Sequence, residues 1–244
     1  RCDELDIICE FVLEETPLID KDEFIRYRDY DINDRVNRNN TIYIVISKGP
    51  SIYFQVLDLY YDGPRIDPKY YNVDPINPRG GYFEVSLMSC IDGDTAKFDY
   101  PSFIEPYVND GESVRFLNMD TEETYPNAEE WGFPAKFYTC ALLENAESII
   151  IQTDPDDELQ DHYGRLLSWI WIVPEGTELR ENKTEYDIDQ YELINYKIIQ
   201  QGLARVAYLY GAGKMKYNNK SYTDWMYQAE NYAKYSEYLT KLLS

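Results

Sequence analysis

From Tyr82 onward the chain reads as short apolar strands and amphipathic stretches in one order, β-β-β-α-β-β-α-α. That order limits the fold more than any other feature of the sequence. YFEVSLMSCIDGDTAKFDY (82–100) alternates apolar and polar residues, turns at Asp92-Gly93 and resumes as a second strand. ESVRFLNMD (112–120) reads as a third strand. PAKFYTCALLENA (134–146) carries Ala135, Tyr138, Leu142 and Leu143 at helical spacing. SIIIQT (148–153) and RLLSWIWIV (165–173) are apolar strands on either side of the acidic turn DPDDELQD (154–161). The stretch 188–206 is helical up to Gly202, and 224–243 is a final amphipathic helix. The fold class is therefore mostly β with helices: a five-stranded barrel of the OB type with about three helices. Closing the sheet removes the exposed edges that five short strands would otherwise leave.

Ahead of this pattern, residues 1–81 form a small α/β extension of unassigned role. Leu5, Ile8, Cys9 and Val12 lie at helical spacing, which predicts a short helix over 3–15. TIYIVIS (41–47) and SIYFQVLDLYYD (51–62) read as strands around Lys48-Gly49-Pro50. Pro64, Pro68, Pro75, Pro78 and Gly80-Gly81 mark a linker or an irregular surface loop, where the boundary with the 82–244 domain is placed.

The chain has 244 residues, 44% of them hydrophobic and 16% aromatic, enough for a sizeable core. No apolar run nears the roughly 18 residues that cross a bilayer. A single histidine, His162, excludes two-histidine ribonuclease chemistry and HExxH metalloproteases. Cys2, Cys9, Cys90 and Cys140 contain no C-x-x-C pair, so a four-cysteine zinc site is not expected, and small buried apolar side chains are the simplest reading. Gly-Ala-Gly-Lys (211–214) lacks both the first glycine and the Ser/Thr of a phosphate loop. DPDDE lacks the glycine and distal glutamate of a calcium-binding EF-hand loop.

Chemistry gathers at predicted strand ends. Asp94 stands in IDGDT, and Asp120 and Glu123 in MDTEE. Arg115 precedes Asp120 by five residues, and Arg165 follows in DHYGRLL. Carboxylate oxygens suit Ca²⁺ or Mg²⁺, two guanidinium forks suit a phosphate, and a remaining carboxylate can serve as general base. Spacing alone leaves the alternative open, with turn-forming aspartates and surface ion pairs.

Taken together, IDGDT, R-x₄-DT-x-E, YGR and QGLARVAY resemble the staphylococcal-nuclease-like (thermonuclease) family, in its order and spacing over residues 82–244. The resemblance implies an OB-fold nuclease that hydrolyses DNA and RNA with Ca²⁺ and leaves 3′-phosphates. It implies Asp94, Asp120 and the Thr121 carbonyl as metal ligands, with Asp92 outside them. Glu123 would activate the attacking water, and Arg115 and Arg165 would clamp the phosphate. Tyr163, Tyr208, Tyr210 and His162 would line the nucleotide pocket. The family pattern is broken by Glu122 where proline is usual, by His162 at a position usually more basic, and by Pro134 where an acid is usual.

Net charge is −22, and residues 82–244 hold 13 Lys+Arg against 29 Asp+Glu, a balance of −16. Phosphate backbones favour basic surfaces, so the expected partners are short or single strands of DNA or RNA, taken into a local positive cleft and stacked on tyrosines. A monomer, secreted or at the cell surface, is expected. Because the chain begins at Arg1 rather than methionine, a leader is expected to precede it. Cys2 offers a site for a lipid anchor, a reading that Arg1 before it opposes. The competing function is a non-catalytic binding module built on a nuclease-like barrel.

Overall fold

The computed structural model describes residues 8–14, 24–27, 41–47, 59–67, 79–101, 113–125, 129–155, 158–180, 187–209 and 215–243. The chain divides into two compact units, 1–57 and 58–244.

In the first unit, β1 (Ile8–Glu14), β2 (Phe24–Tyr27) and β3 (Thr41–Ser47) form a sheet in the order β1-β3-β2. β1 runs parallel to β3, with Ile8 opposite Thr41 and Glu14 opposite Ser47; β2 is antiparallel to β3. The helix expected over 3–15 is corrected here, since Ile8–Glu14 is a strand. Its apolar spacing fits a helix on paper. Ile8, Phe11 and Val12 also favour extended backbone, and pairing along seven residues of β3 decides the matter. The strand expected at 51–62 does not extend into its described residues, 59–62.

The second unit is built on β4 (Tyr82–Asp92), β5 (Thr95–Asp99), β6 (Ser113–Phe116), α1 (Gly132–Glu144), β7 (Ser148–Gln152) and β8 (Leu166–Val173). β4 pairs with β7 through Tyr82–Val85, then with β5 through Ser86–Asp92. Register shifts after Leu87 and Cys90 bend it between the two partners, the usual device for turning a barrel corner. β5 pairs with β6, β7 with β8, and β6 closes onto β8 in parallel with Val114 opposite Leu166. The result is the expected closed five-stranded OB barrel with three helices among the described residues. β8 is buried along its whole length, which matches an apolar run interrupted only by Ser168. Its Trp169 and Trp171 meet Tyr222 edge-on.

After β8, a short 3₁₀ turn (Asp187–Gln190) and β9 (Glu192–Leu193) precede α2 (Ile194–Gln200). The helix predicted from 188 up to Gly202 thus begins later, at Ile194, and stops at Gly202 as expected. Glu192 and Leu193 pair with β8 instead, and Gly202 at φ 78° ends the helix as Leu203 N–H returns to the Ile198 carbonyl. Within α2, Asn195 donates to the Leu117 carbonyl at 2.9 Å and accepts from Ile170 N–H at 3.1 Å, fastening the helix to the barrel. A hairpin of β10 (Lys216–Tyr217) and β11 (Lys220–Ser221) then leads into α3 (Tyr222–Leu243).

Two expectations differ from the structure outside the barrel. The described start of the Pro/Gly-rich stretch packs on the barrel domain, with Ile66 buried and Arg65 donating to the Tyr191 carbonyl, and just before it buried Tyr61 accepts Leu193 N–H on its hydroxyl. The boundary between compact units accordingly falls before Asp58. Cys90 and Cys140 are not separate buried thiols but a disulfide joining β4 to α1, with Cα atoms 5.6 Å apart. Among the described residues, no helix is long and apolar enough to cross a membrane.

Candidate active site

Asp94 sits in the tight turn between β4 and β5, and close packing fixes that turn. A Cβ on Gly93 would come within 2.8 Å of the Thr121 side chain and 2.9 Å of Ala135, so only glycine lets the turn, the segment after β6 and α1 meet. The Thr139 hydroxyl also donates to the Gly93 carbonyl at 2.7 Å. Asp94 is buried, its Oδ2 accepting Thr121 N–H at 3.0 Å and its Oδ1 accepting the Thr95 hydroxyl at 2.9 Å. Burial pushes its carboxyl up, opposed by Arg115 and these hydrogen bonds.

Arg115, on β6, is the hinge of the cluster. It is 7% exposed; Nη1 donates to Asp94 Oδ1, and Nη2 donates to Asp120 Oδ1 at 2.9 Å. The Tyr208 ring lies 5.1 Å from its guanidinium carbon. Asp120 Oδ2 in turn accepts two bonds from Arg205, Nε at 3.1 Å and Nη2 at 2.6 Å. Backbone N–H groups and carbonyls of Asp120 and Arg205 pair reciprocally at 3.0 Å. Two carboxylates and two guanidiniums therefore alternate: Asp94, Arg115, Asp120, Arg205. Sequence reading missed Arg205, although it lies inside the QGLARVAY motif.

Glu123 is exposed on the loop beyond Thr121. Partial burial raises its pKa, as does repulsion from Asp92, Asp94 and Asp120, against the pull of Arg115. Gly132 permits this loop to abut α1, since a Cβ there would lie 2.3 Å from the Glu123 carbonyl oxygen. Four carboxylates thus act on one another across a small region. Oxygen donors with surplus negative charge have the chemistry a hard divalent cation requires. Among the described residues, no three acidic, histidine or cysteine side chains form a ready cage, and Asp94 and Asp120 share Arg115 instead.

Arg165 immediately precedes β8, two residues before Leu167, the register partner of Arg115. It is gripped by Asp161, which receives Nε and Nη2, each at 2.7 Å, and also accepts the N–H groups of Tyr163 and Arg165. The Asp161 side chain, almost fully buried, organises this turn; sequence reading missed it as well. Tyr163 is exposed, with the Arg165 guanidinium 5.4 Å from its ring and the His162 ring 3.8 Å away. Tyr208 is half-exposed in a left-handed conformation, φ 51°. Tyr210 lies outside the described residues. The structure therefore brings Asp94, Arg115, Asp120, Thr121 and Tyr208 into contact, with Glu123 in electrostatic reach. It gathers Arg165, Tyr163 and His162 as a second group in the turn that leads into β8.

The structure is thus a closed OB barrel that carries an arginine–carboxylate cluster at the ends of adjoining strands. The profile of the staphylococcal nuclease homologue family matches residues 113–237, just over half the chain, and the chain belongs to that family. It is 30% identical over 130 residues to the SPbeta prophage-derived endonuclease YokF of Bacillus subtilis, covering 52% of this chain and 35% of that protein. It is 31% identical over 129 residues to endonuclease YncB of Bacillus subtilis (52% and 49%), and 30% identical over 123 residues to the thermonuclease of Staphylococcus intermedius (48% and 56%). The chain thus spans between about a third and just over half of these relatives' own lengths.

Proposed function

We propose that this chain is a nuclease that hydrolyses phosphodiester bonds in DNA and RNA, with Ca²⁺ as its cation, and leaves 3′-phosphates. One observation carries the reading most: buried Arg115 bridges Asp94 and Asp120 within a barrel of the nuclease family. Asp94, Asp120 and the Thr121 carbonyl would hold the cation, which supplies positive charge to offset that of the phosphate. Glu123 takes a proton from water as its oxygen bonds to phosphorus. The P–O5′ bond breaks, and the proton passes to the leaving oxygen. Arg115 and Arg165 neutralise the oxygens that gain charge in the transition state, where a planar fork matches two of them at once. Tyr163 and Tyr208 offer ring faces to bases of a single strand.

The Cys90–Cys140 disulfide supports an oxidising compartment, and with it a secreted or cell-surface location. A non-catalytic binding module is favoured by one specific feature: both oxygens of Asp120 are already taken by arginines. Digestion of plasmid and of RNA with Ca²⁺, and with EDTA as control, separates the two. Cleavage abolished by EDTA supports the nuclease; binding without cleavage leaves the module.

A further inference from the structure

Residues 193–223, between Glu192 and Asp224, are the longest stretch of the chain without Asp or Glu. They hold Lys197, Arg205, Lys214, Lys216 and Lys220, a local charge of +5 against −27 for the rest of the chain. In a protein this acidic, such an island is where a polyanion meets least repulsion.

The island borders the arginine–carboxylate cluster. Arg205 is bound to Asp120, and Ala207 N–H donates to the Asn118 carbonyl at 3.4 Å. Asn118 Nδ2 donates at 2.7 Å to the Thr223 hydroxyl, in the first turn of α3 directly after the β10–β11 hairpin. The end of the hairpin is thus held near the cluster, through a residue two before Asp120. Lys197 is turned to Glu192 at 2.5 Å, and Lys214 lies outside the described residues. Lys216 is exposed at the hairpin, and Lys220 lies with Nζ 4.0 Å from the centre of the Trp225 ring. Trp225 is held by its Nε1–H to the Tyr217 carbonyl at 3.4 Å, with the Tyr217 ring 6.3 Å away. The next acid, Asp224, is engaged with the Ser221 hydroxyl at 2.6 Å.

We infer that the β10–β11 hairpin is a second contact for polynucleotide. Lys216 and Lys220 meet phosphates, and Tyr217 meets a base, of a single strand that continues beyond the bond held at the catalytic arginines. Cations interleaved with aromatic rings are what a flexible strand requires, because every base has a face to stack and every link a charge. Lys220 Nζ also donates to Gln228 Oε1; desolvation lowers its pKa against support from Asp224 and Asp62, and an arriving phosphate would add a closer opposite charge. The inference rests on the nuclease reading for the direction of the strand.

Two ligands test it on the intact chain: a dinucleotide, which spans only the catalytic arginines, and a labelled single strand of about 15 nucleotides, long enough to reach the hairpin. Affinity for the strand is measured by anisotropy with cations chelated, across a salt series. Lys216→Ala/Lys220→Ala is expected to weaken the strand about 10-fold and to flatten the salt slope by about 1.4, the release expected for two lost contacts to a single strand. Dinucleotide cleavage should continue at the wild-type rate. Lys216→Glu, at an exposed position that cannot threaten the core, should give a loss of its own. Unchanged strand affinity and slope in both variants overturns the inference, and so does an equal loss of dinucleotide cleavage. If the wild type binds the strand through these lysines yet cuts neither ligand, the nuclease reading falls and the hairpin contact stands.

Discussion

Arg115 and Arg205 hold the same carboxylate, yet their surroundings differ enough to separate their energetic roles. Arg115 is 7% exposed and is the direct ion-pair partner of buried Asp94. Replacing it by methionine leaves Asp94 without that cation, and breaking a buried pair in this way costs about 3–5 kcal/mol. The Arg205 side chain is 75% exposed, so Arg205→Gln should cost no more than about 1 kcal/mol. Urea denaturation at neutral pH checks the contrast; similar midpoints for the two variants would contradict it. In the proposed mechanism Glu123, being exposed, bears on chemistry rather than stability. Glu123→Gln should lower kcat roughly 10²-fold while leaving nucleotide affinity near that of the wild type, because a base acts only as water attacks. Arg165→Ala should lower kcat at least as far and also weaken binding. Lysine there should restore only part of the loss, since an ammonium cannot reproduce the guanidinium fork. Single-turnover cleavage of a short labelled oligonucleotide reads both effects. A Glu123→Gln protein cutting at the wild-type rate would remove Glu123 from the mechanism.

At the level of elements, α3 is tied to the loop that carries Arg205. Glu230 on α3 accepts Val206 N–H at 3.0 Å and Lys234 at 2.6 Å. Burial raises the Glu230 pKa, but these two partners outweigh it and hold the carboxyl below the ordinary value. A carboxyl depressed in the folded state contributes stability at pH above its unfolded value, near 4.3, and loses it as pH falls through the folded value. Glu230→Gln should therefore lower stability slightly at pH 7, by less than about 1 kcal/mol given solvent screening, and not at all near pH 3. A deficit that persists in acid would locate the effect in packing instead. The elements themselves were legible to different degrees. β8 and α1 declare themselves by a nearly continuous apolar run and by a helical stripe, and each forms within two residues of its predicted bounds. α2 and β1 do not, because pairing with β8 and with β3 outweighs local periodicity. In the candidate site, Asp94, Arg115 and Asp120 could be read from motif spacing. Arg205 lies 85 residues from Asp120, and nothing in the local sequence announces that they meet.

For the whole molecule, the disulfide is the feature that spacing could not supply, since four cysteines leave the pairing open. Cys90 and Cys140 are 50 residues apart in sequence, and their bond encloses β5, β6 and the segment bearing Asp120 and Glu123. Closing a loop of that length restricts the unfolded chain by about 4 kcal/mol on the loop-entropy account, a large share of a typical domain's stability. The bond also anchors α1, whose Thr139 and Ala135 support the Gly93 turn and hence Asp94. Cys90→Ser/Cys140→Ser should therefore unfold at a markedly lower urea concentration than the wild type. Adding dithiothreitol should bring the wild type to the same midpoint and leave the variant where it is. Activity should fall at urea concentrations well below the variant's global midpoint, because the Asp94 turn loses one of its supports before the barrel opens. Coincident loss of activity and fold would confine the disulfide's part to global stability, and midpoints that ignore both the mutations and the reductant would show that the bond does not constrain this chain in solution.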